Sequence, residues 1–191
     1  MKCQRSLFKL DPDVHYLNCA FKSPLLSSAE DAAIQALIRE RNPSQLKPDD
    51  FFTEVDRVKH LFGDLVNCKP SEVALTPSTS YLFASVLKNI PCKVGQHAIT
   101  IMDEFPSDYF AIKRWCDKHH TKLKIIRPKN DKKRWGKHWN KKILESINTH
   151  TSVVILSSVH WMSGLKFHLK KIGERCRQVG AAFIVDGTQS V

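Results

Sequence analysis

The sequence predicts an α/β fold, a mostly parallel sheet flanked by helices, and two observations carry that expectation. From residue 71 onward, short apolar stretches of strand length alternate with longer segments of helical periodicity, the pattern of a parallel sheet built through helical crossovers. The last short stretch, 182–185, is the apolar run Ala-Phe-Ile-Val. It is too short for a buried helix and suits a parallel strand covered on both faces. At 191 residues and 42% hydrophobic content, the chain can bury a sizeable core.

Taken in order, the first segment, to Pro24, reads as an extended arm with a turn at Asp11-Pro12 and a short strand at 14–17. Ser28 is expected to cap a helix over 29–41, with Ala33, Ala36 and Leu37 on one face and Asn42-Pro43 as its stop. A second helix follows Pro48 and runs to Val66. Its apolar residues Phe52, Val55, Val58, Leu61, Phe62 and Leu65 recur at three-and-four spacing, which reads as a packed core stripe. Strand and helix then alternate: 73–76 and 79–89, 97–102 and 107–119, 122–126 and 139–148, 153–157 and 169–179, before the closing strand that ends at Asp186. The expected division is an N-terminal arm with helices over 1–70 and an α/β domain over 71–191.

Composition narrows the function classes. The six cysteines form no Cys-x-x-Cys pair and are read as free thiols, which indicates neither a zinc site nor a redox motif. No His-x-x-x-His pair with a carboxylate suggests a metal site elsewhere. No apolar run approaches membrane-spanning length, and Met1-Lys-Cys-Gln-Arg lacks the apolar core of a signal peptide, so a soluble cytoplasmic protein without membrane association is expected. The net charge of +11 is concentrated over 127–142, where Lys and Arg stand against the single acidic Asp131 and are interleaved with Trp135 and Trp139. Such a segment can hold nucleic acid, but charge runs more often mark a solvated face.

Ligands of open parallel sheets bind outside the carboxyl ends of the strands, so the residues just past each strand read as one constellation. After 73–76 come Ser78, Thr79 and Ser80 at a helix start, where free N–H groups and the helix dipole favour an anion and where ordinary capping would use the same residues. After 97–102 come Phe105, an aromatic in a polar loop that is either a loose core anchor or a stacking face, and Asp108. After 153–157 stands His160-Trp161, which suits packing with one satisfied polar end or a ligand contact. Asp186, with Gln189 just beyond it, is aimed into the crevice unless it merely caps the next turn; a buried carboxylate there needs a cationic or hydrogen-bonding partner.

The Val-Asp-Gly-Thr-Gln-Ser stretch resembles the Asp-x-x-Gln pattern of the class V aminotransferase family, pyridoxal 5'-phosphate enzymes of fold type I. The resemblance implies that Asp186 pairs with the protonated pyridine nitrogen, that Gln189 approaches the phenolic oxygen, and that the phosphate sits on the turn of Thr79 and Ser80 with Ser78 adjacent. His160 falls where the family places an Asn, Ser or His on the phenolic oxygen. The Phe105-Pro-Ser-Asp108 segment resembles the Phe-Pro-Thr-Asp stretch of the kynureninase and isopenicillin-N-epimerase-like branch, which implies Phe105 stacked on the pyridine ring and Asp108 close to the cofactor, with Ser107 replacing Thr. Cysteine desulfurases carry His at that point, so Phe105 argues against a desulfurase. The family further implies an amino acid or amine substrate and a homodimer of the complete protein.

The family's Schiff-base lysine follows Asp-x-x-Gln on a later strand, and no lysine follows Asp186 here. The chain is therefore expected to be the N-terminal portion of a large domain, with the catalytic residue unassigned and an apolar sheet edge left uncovered. Two readings from other classes stand beside the enzyme: a catalytically empty half-domain acting as a binding protein, and a basic nucleic-acid-binding module using 127–142.

Overall fold

The computed structural model describes residues 3–128 and 135–191, and the chain divides into two compact units, 1–75 and 76–191. The first unit opens with an arm whose carbonyls are satisfied by a side chain. The Arg5 guanidinium donates to the carbonyls of Asp11, Pro12 and Val14 at 2.7, 2.8 and 3.1 Å. With its backbone held this way, the strand expected at 14–17 does not form; among the described residues the arm's one bridge is a single antiparallel pair, Phe8 with Leu26.

Helix α1 (Ser27–Glu40) starts earlier than expected, because the Leu26 carbonyl takes the N–H groups of Ala29 and Glu30 at 3.0 and 2.9 Å and no side chain caps it. Helix α2 (Asp50–Val66) begins where Asp50 Oδ2 accepts the Lys47 N–H at 2.8 Å, and it stops at left-handed Asn67, after which the Cys68 N–H returns to the Gly63 carbonyl at 2.9 Å. The apolar stripe of α2 is not a core stripe. Phe51, Phe52, Leu61 and Leu65 are all exposed, and Gly63 is the one buried residue of the helix. Periodicity specifies an apolar face but not what covers it, and nothing in this unit does.

The strand expected at 73–76 is also absent. A 3-10 turn, Pro70–Glu72, is closed by Glu72 Oε2 accepting the Lys69 N–H at 2.9 Å, and Val73 leaves it extended but without a ladder partner.

The second unit carries the sheet. Its elements run α3 (Thr79–Lys88), β1 (His97–Ile101), α4 (Pro106–Lys118), β2 (Lys122–Ile126), α5 (Trp135–Ser146), β3 (Thr151–Ser157), α6 (Leu169–Val179) and β4 (Ala182–Asp186). All pairings are parallel, in the order β2-β1-β3-β4. The two central strands, β1 and β3, are buried at every position, as strands covered on both faces must be.

Side chains alternate along them with period two. Ala98, Val153 and Ile155 meet Phe83 and Leu87 of α3 and Ile112, Trp115 and Cys116 of α4. Ile99, Val154 and Leu156 point the other way, to Trp139 and Ile143 of α5, Ile172 and Cys176 of α6, and Phe167. Burial pushes the Cys116 thiol up to about 12 and the Cys176 thiol up to about 11, so both are inert core residues, and all six cysteines are free.

Trp139 is buried, and its Nε1–H donates to the Ile126 carbonyl at 2.9 Å. It is therefore a core anchor and not a stacking platform for nucleic acid; the basic run beside it lies partly outside the described residues. Strand β4 is half-buried and ends the sheet, with Val185 exposed. At the end of α6, Gly180 takes φ +73° and its N–H returns to Arg177 O at 3.3 Å, the left-handed stop that sends the chain into β4.

Candidate functional site

The strand order reverses its winding between β1 and β3, so the crevice beyond their carboxyl ends is a topological switch point. Buried carboxylates gather there. Glu104, just past β1, bridges to β3: Oε2 accepts the Ser157 N–H at 2.8 Å, and Oε1 accepts the Phe105 N–H at 2.9 Å and a short hydrogen bond from the Ser157 hydroxyl. Asp186 ends β4. Its Oδ1 accepts the Thr188 N–H at 2.8 Å and the Thr188 hydroxyl at 2.6 Å, while its carbonyl accepts the Ser158 N–H at 2.8 Å.

Asp108, in the first turn of α4, is fully buried. The Ser107 hydroxyl donates to its Oδ1 at 2.9 Å, and Oδ2 receives no hydrogen bond. Burial, followed by the Asp186 carboxylate and more weakly the Glu104 charge, pushes Asp108 up to about 8 against the Ser107 hydroxyl, which lowers it. Two of these acids, Asp108 and Asp186, were expected from the sequence. Glu104 was not; it stands three residues past the end of β1 beside a second acid, Asp103, and nothing in the local sequence separates the two.

A second device fixes the loop between β1 and α4. Asp103 takes φ +53°, a left-handed conformation, and its carbonyl faces two rings: the Trp161 indole donates to it at 2.8 Å, and His160 Nε2 lies 3.0 Å away. The other ring nitrogen of His160, Nδ1, is 2.9 Å from the Ser163 hydroxyl, and the ring is buried edge-on against Trp139. Both nitrogens of His160 are thus engaged within the chain. Phe105 and Trp161 meet edge to face at 5.6 Å between ring centres, each about half exposed.

The hydroxyl turn opens α3. The Ser78 hydroxyl caps it by accepting the Tyr81 N–H at 3.2 Å, and the first helical bond runs from Leu82 N–H to Ser78 O at 3.0 Å. The N–H groups of Thr79 and Ser80 therefore precede the helical ladder, in residues that are themselves exposed, where an anion can accept from them. A groove between α3 and α4 runs from Ser80 to Pro106 and Ser107, linking the two helix starts, although Asp108, Asp186 and Gln189 do not line it. Gln189 is half-buried in the turn after β4, and its side chain makes no hydrogen bond among the described residues. No cluster of metal-ligating side chains occurs among the described residues, and no helix there is long and apolar enough to cross a membrane.

An all-parallel sheet with helices on both faces is the large-domain architecture of fold type I pyridoxal-phosphate enzymes, and solved members share it. The chain belongs to the aminotransferase class-V family, whose sequence profile matches residues 42–191. No curated protein sequence matches it. A lysine-to-alanine mutant of C-DES with glycine covalently linked to its PLP cofactor superposes with TM-score 0.81 at 17% identity, over 100% of this chain and 51% of that one. The Escherichia coli cysteine desulfurase CsdA superposes with TM-score 0.80 at 14% identity, over 97% of this chain and 48% of its own. The apo cysteine desulfurase of Thermococcus onnurineus NA1 gives TM-score 0.79 at 20% identity, over 100% and 48%. The chain spans about half the length of these structures, and at these identities the likeness is one of fold.

Proposed function

We propose that this chain forms the cofactor-holding face of a pyridoxal-phosphate-dependent enzyme that acts on an amino acid or amine, and that the complete protein works as a homodimer. The observation that carries the reading is Asp186, buried at the carboxyl end of β4 beside a second acid whose Oδ2 has no donor. Such a site has acceptors to spare and fits a cationic ring nitrogen. When bound, the cofactor supplies an electron sink for a carbanion at the substrate's α-carbon.

The chain's own residues bind and orient. Asp186 accepts from the protonated ring nitrogen and keeps it charged. Thr79 and Ser80, with Ser78 shaping their turn, take the phosphate. Phe105 offers its half-exposed ring, and Gln189 has an uncommitted amide for the phenolic oxygen. His160, expected to share that contact, does so only by exchanging one of its bonds to Asp103 O or Ser163 Oγ; in its present bonds it orients the Phe105 loop instead. Phe105, at the position where desulfurases carry His, favours the kynureninase and isopenicillin-N-epimerase-like branch.

Titration with pyridoxal 5'-phosphate, followed by absorbance and near-ultraviolet circular dichroism, tests this reading. Saturable one-to-one binding is expected. Asp186→Asn keeps the Oδ1 contacts to Thr188 but loses the charge, and should weaken binding by about tenfold or more, the worth of one hydrogen bond to a charged group. Equal affinity in the two proteins would reduce Asp186 to a turn residue.

A further inference from the structure

The hydrogen-bond donors around the switch point are unequally shared, and the inequality decides where a proton sits. Glu104 accepts from the Ser157 N–H, the Ser157 hydroxyl and the Phe105 N–H. Asp186 accepts from the Thr188 N–H and hydroxyl. Asp108, the most deeply buried of the three, has the Ser107 hydroxyl alone, and its Oδ2 is an orphan. Donors stabilise the ionised form of a carboxyl and burial without donors stabilises the neutral form. Among the described residues, the charged groups that act on Asp108 are Asp186, from the end of β4, and Glu104, from the loop after β1; both are acidic. A proton on Asp108 satisfies the orphan by donating to Asp186, and it leaves the pair with a single negative charge.

Resting on the pyridoxal-phosphate reading, we propose that Asp108 stands protonated beside Asp186 and Glu104, which hold the donors it lacks, and that it gives up its proton when a cationic ring nitrogen binds, so that cofactor affinity is proton-linked. The incoming N–H of the ring bonds to Asp186 and displaces the Asp108 hydroxyl from it; the O–H bond of Asp108 breaks, its electron pair stays on the oxygen, and the proton passes to buffer. The added positive charge then compensates the second carboxylate. Asp108 is thereby a proton-holding residue of the site.

The probe is pyridoxine 5'-phosphate, which keeps the ring nitrogen and phosphate but has no aldehyde and so needs no lysine. Calorimetric titration at pH 7 in PIPES and in Tris, neither of which carries a phosphate that competes for the Thr79–Ser80 turn, counts the protons exchanged. The same titration of Asp108→Asn, whose amide replaces the neutral acid without change of shape, subtracts the ligand's own ionisations. The difference should be a release of roughly one proton per ligand, with affinity rising up to about tenfold per pH unit between pH 6 and 8 and levelling above. Carbon-13 spectra of the ligand-free protein should show one aspartate carboxyl titrating near 8 and missing from Asp108→Asn. An Asp108 that ionises in the ordinary carboxylate range, or equal proton counts for the two proteins, overturns the proposal. A wild-type protein that never saturates with the probe overturns the cofactor reading and the linkage with it, and the carbon-13 titration then decides separately where the proton sits.

Discussion

The two units of this chain use the same kind of sequence pattern to opposite effect. In the second, the apolar residues of α3, α4, α5 and α6 close on a sheet buried on both faces, and Trp139, Ile143, Val154 and Ile172 are inaccessible. In the first, α2 carries an apolar face at the same helical spacing, yet Phe51, Phe52 and Leu65 are each about two-thirds exposed. What differs is the opposing layer: a helix buries its stripe only against something, and a sheet offers two such surfaces while an isolated pair of helices offers little. The second unit's stability should therefore be written in its core, and the first unit's apolar face should contribute almost nothing to it.

The largest effect that could break this contrast is Trp139→Ala. It removes the side chain that fills the space between β3, α5 and Phe167 and leaves the Ile126 carbonyl with the Met102 N–H at 3.0 Å as its remaining donor, and should cost about 3–5 kcal/mol in urea unfolding. A cost below about 1 kcal/mol would mean that this face of the sheet is loosely filled. A smaller effect marks the amino-terminal edge of the core, where buried His97 lies against Thr151 Oγ1 at 3.1 Å. Burial first, then the charges of Lys124 and His150, lower its affinity for protons, against a hydrogen bond that its ring donates to the Ser146 backbone carbonyl, which raises it. The unfolded chain then binds a proton near pH 6.5 that the folded chain refuses, so this contribution is intact above about pH 6.5 and is lost as pH falls below it. His97→Gln should flatten the acid side of the stability profile, by no more than about 1.4 kcal/mol per pH unit; an unchanged profile would mean the ring is solvated. The smallest effect belongs to the other unit: Phe52→Ser should shift the unfolding free energy by less than about 0.5 kcal/mol. A loss above about 2 kcal/mol would show that the α2 face is covered in solution.

The sheet was the most legible part of the molecule. The strands at 97–102, 122–126, 153–157 and 182–185 needed no tertiary information, because β-branched runs between helical segments have one good solution. The strand at 73–76 looked the same over four residues, but Pro70 and the Glu72 side chain commit the backbone to a turn just before it, and no neighbour was left to pair with it. Of the candidate site, Asp186 could be read from its position at a strand end, and Asp108 through the resemblance of its segment to the family's Phe-Pro-Thr-Asp stretch. Glu104 could not, since two of its three donors belong to Ser157, 53 positions away in the chain. His160 was legible as a functional position but not in its partners, which are a backbone carbonyl on another loop and a serine three residues on.

The doubly bonded carbonyl of Asp103 has a consequence for how freely this region can vary. A non-glycine residue at φ +53° bears strain of about 1 kcal/mol or more, and here the compensation comes from rings 57 and 58 positions away rather than from its neighbours. Drift in the loop's own letters should therefore be tolerated as long as the ring pair persists, whereas losing either ring should narrow what position 103 can be, toward glycine or asparagine, which hold the same turn unaided. Sequence change at 103 and at 160–161 is thus expected to be correlated, and the history of the loop is recorded in the loop that follows the neighbouring strand, β3.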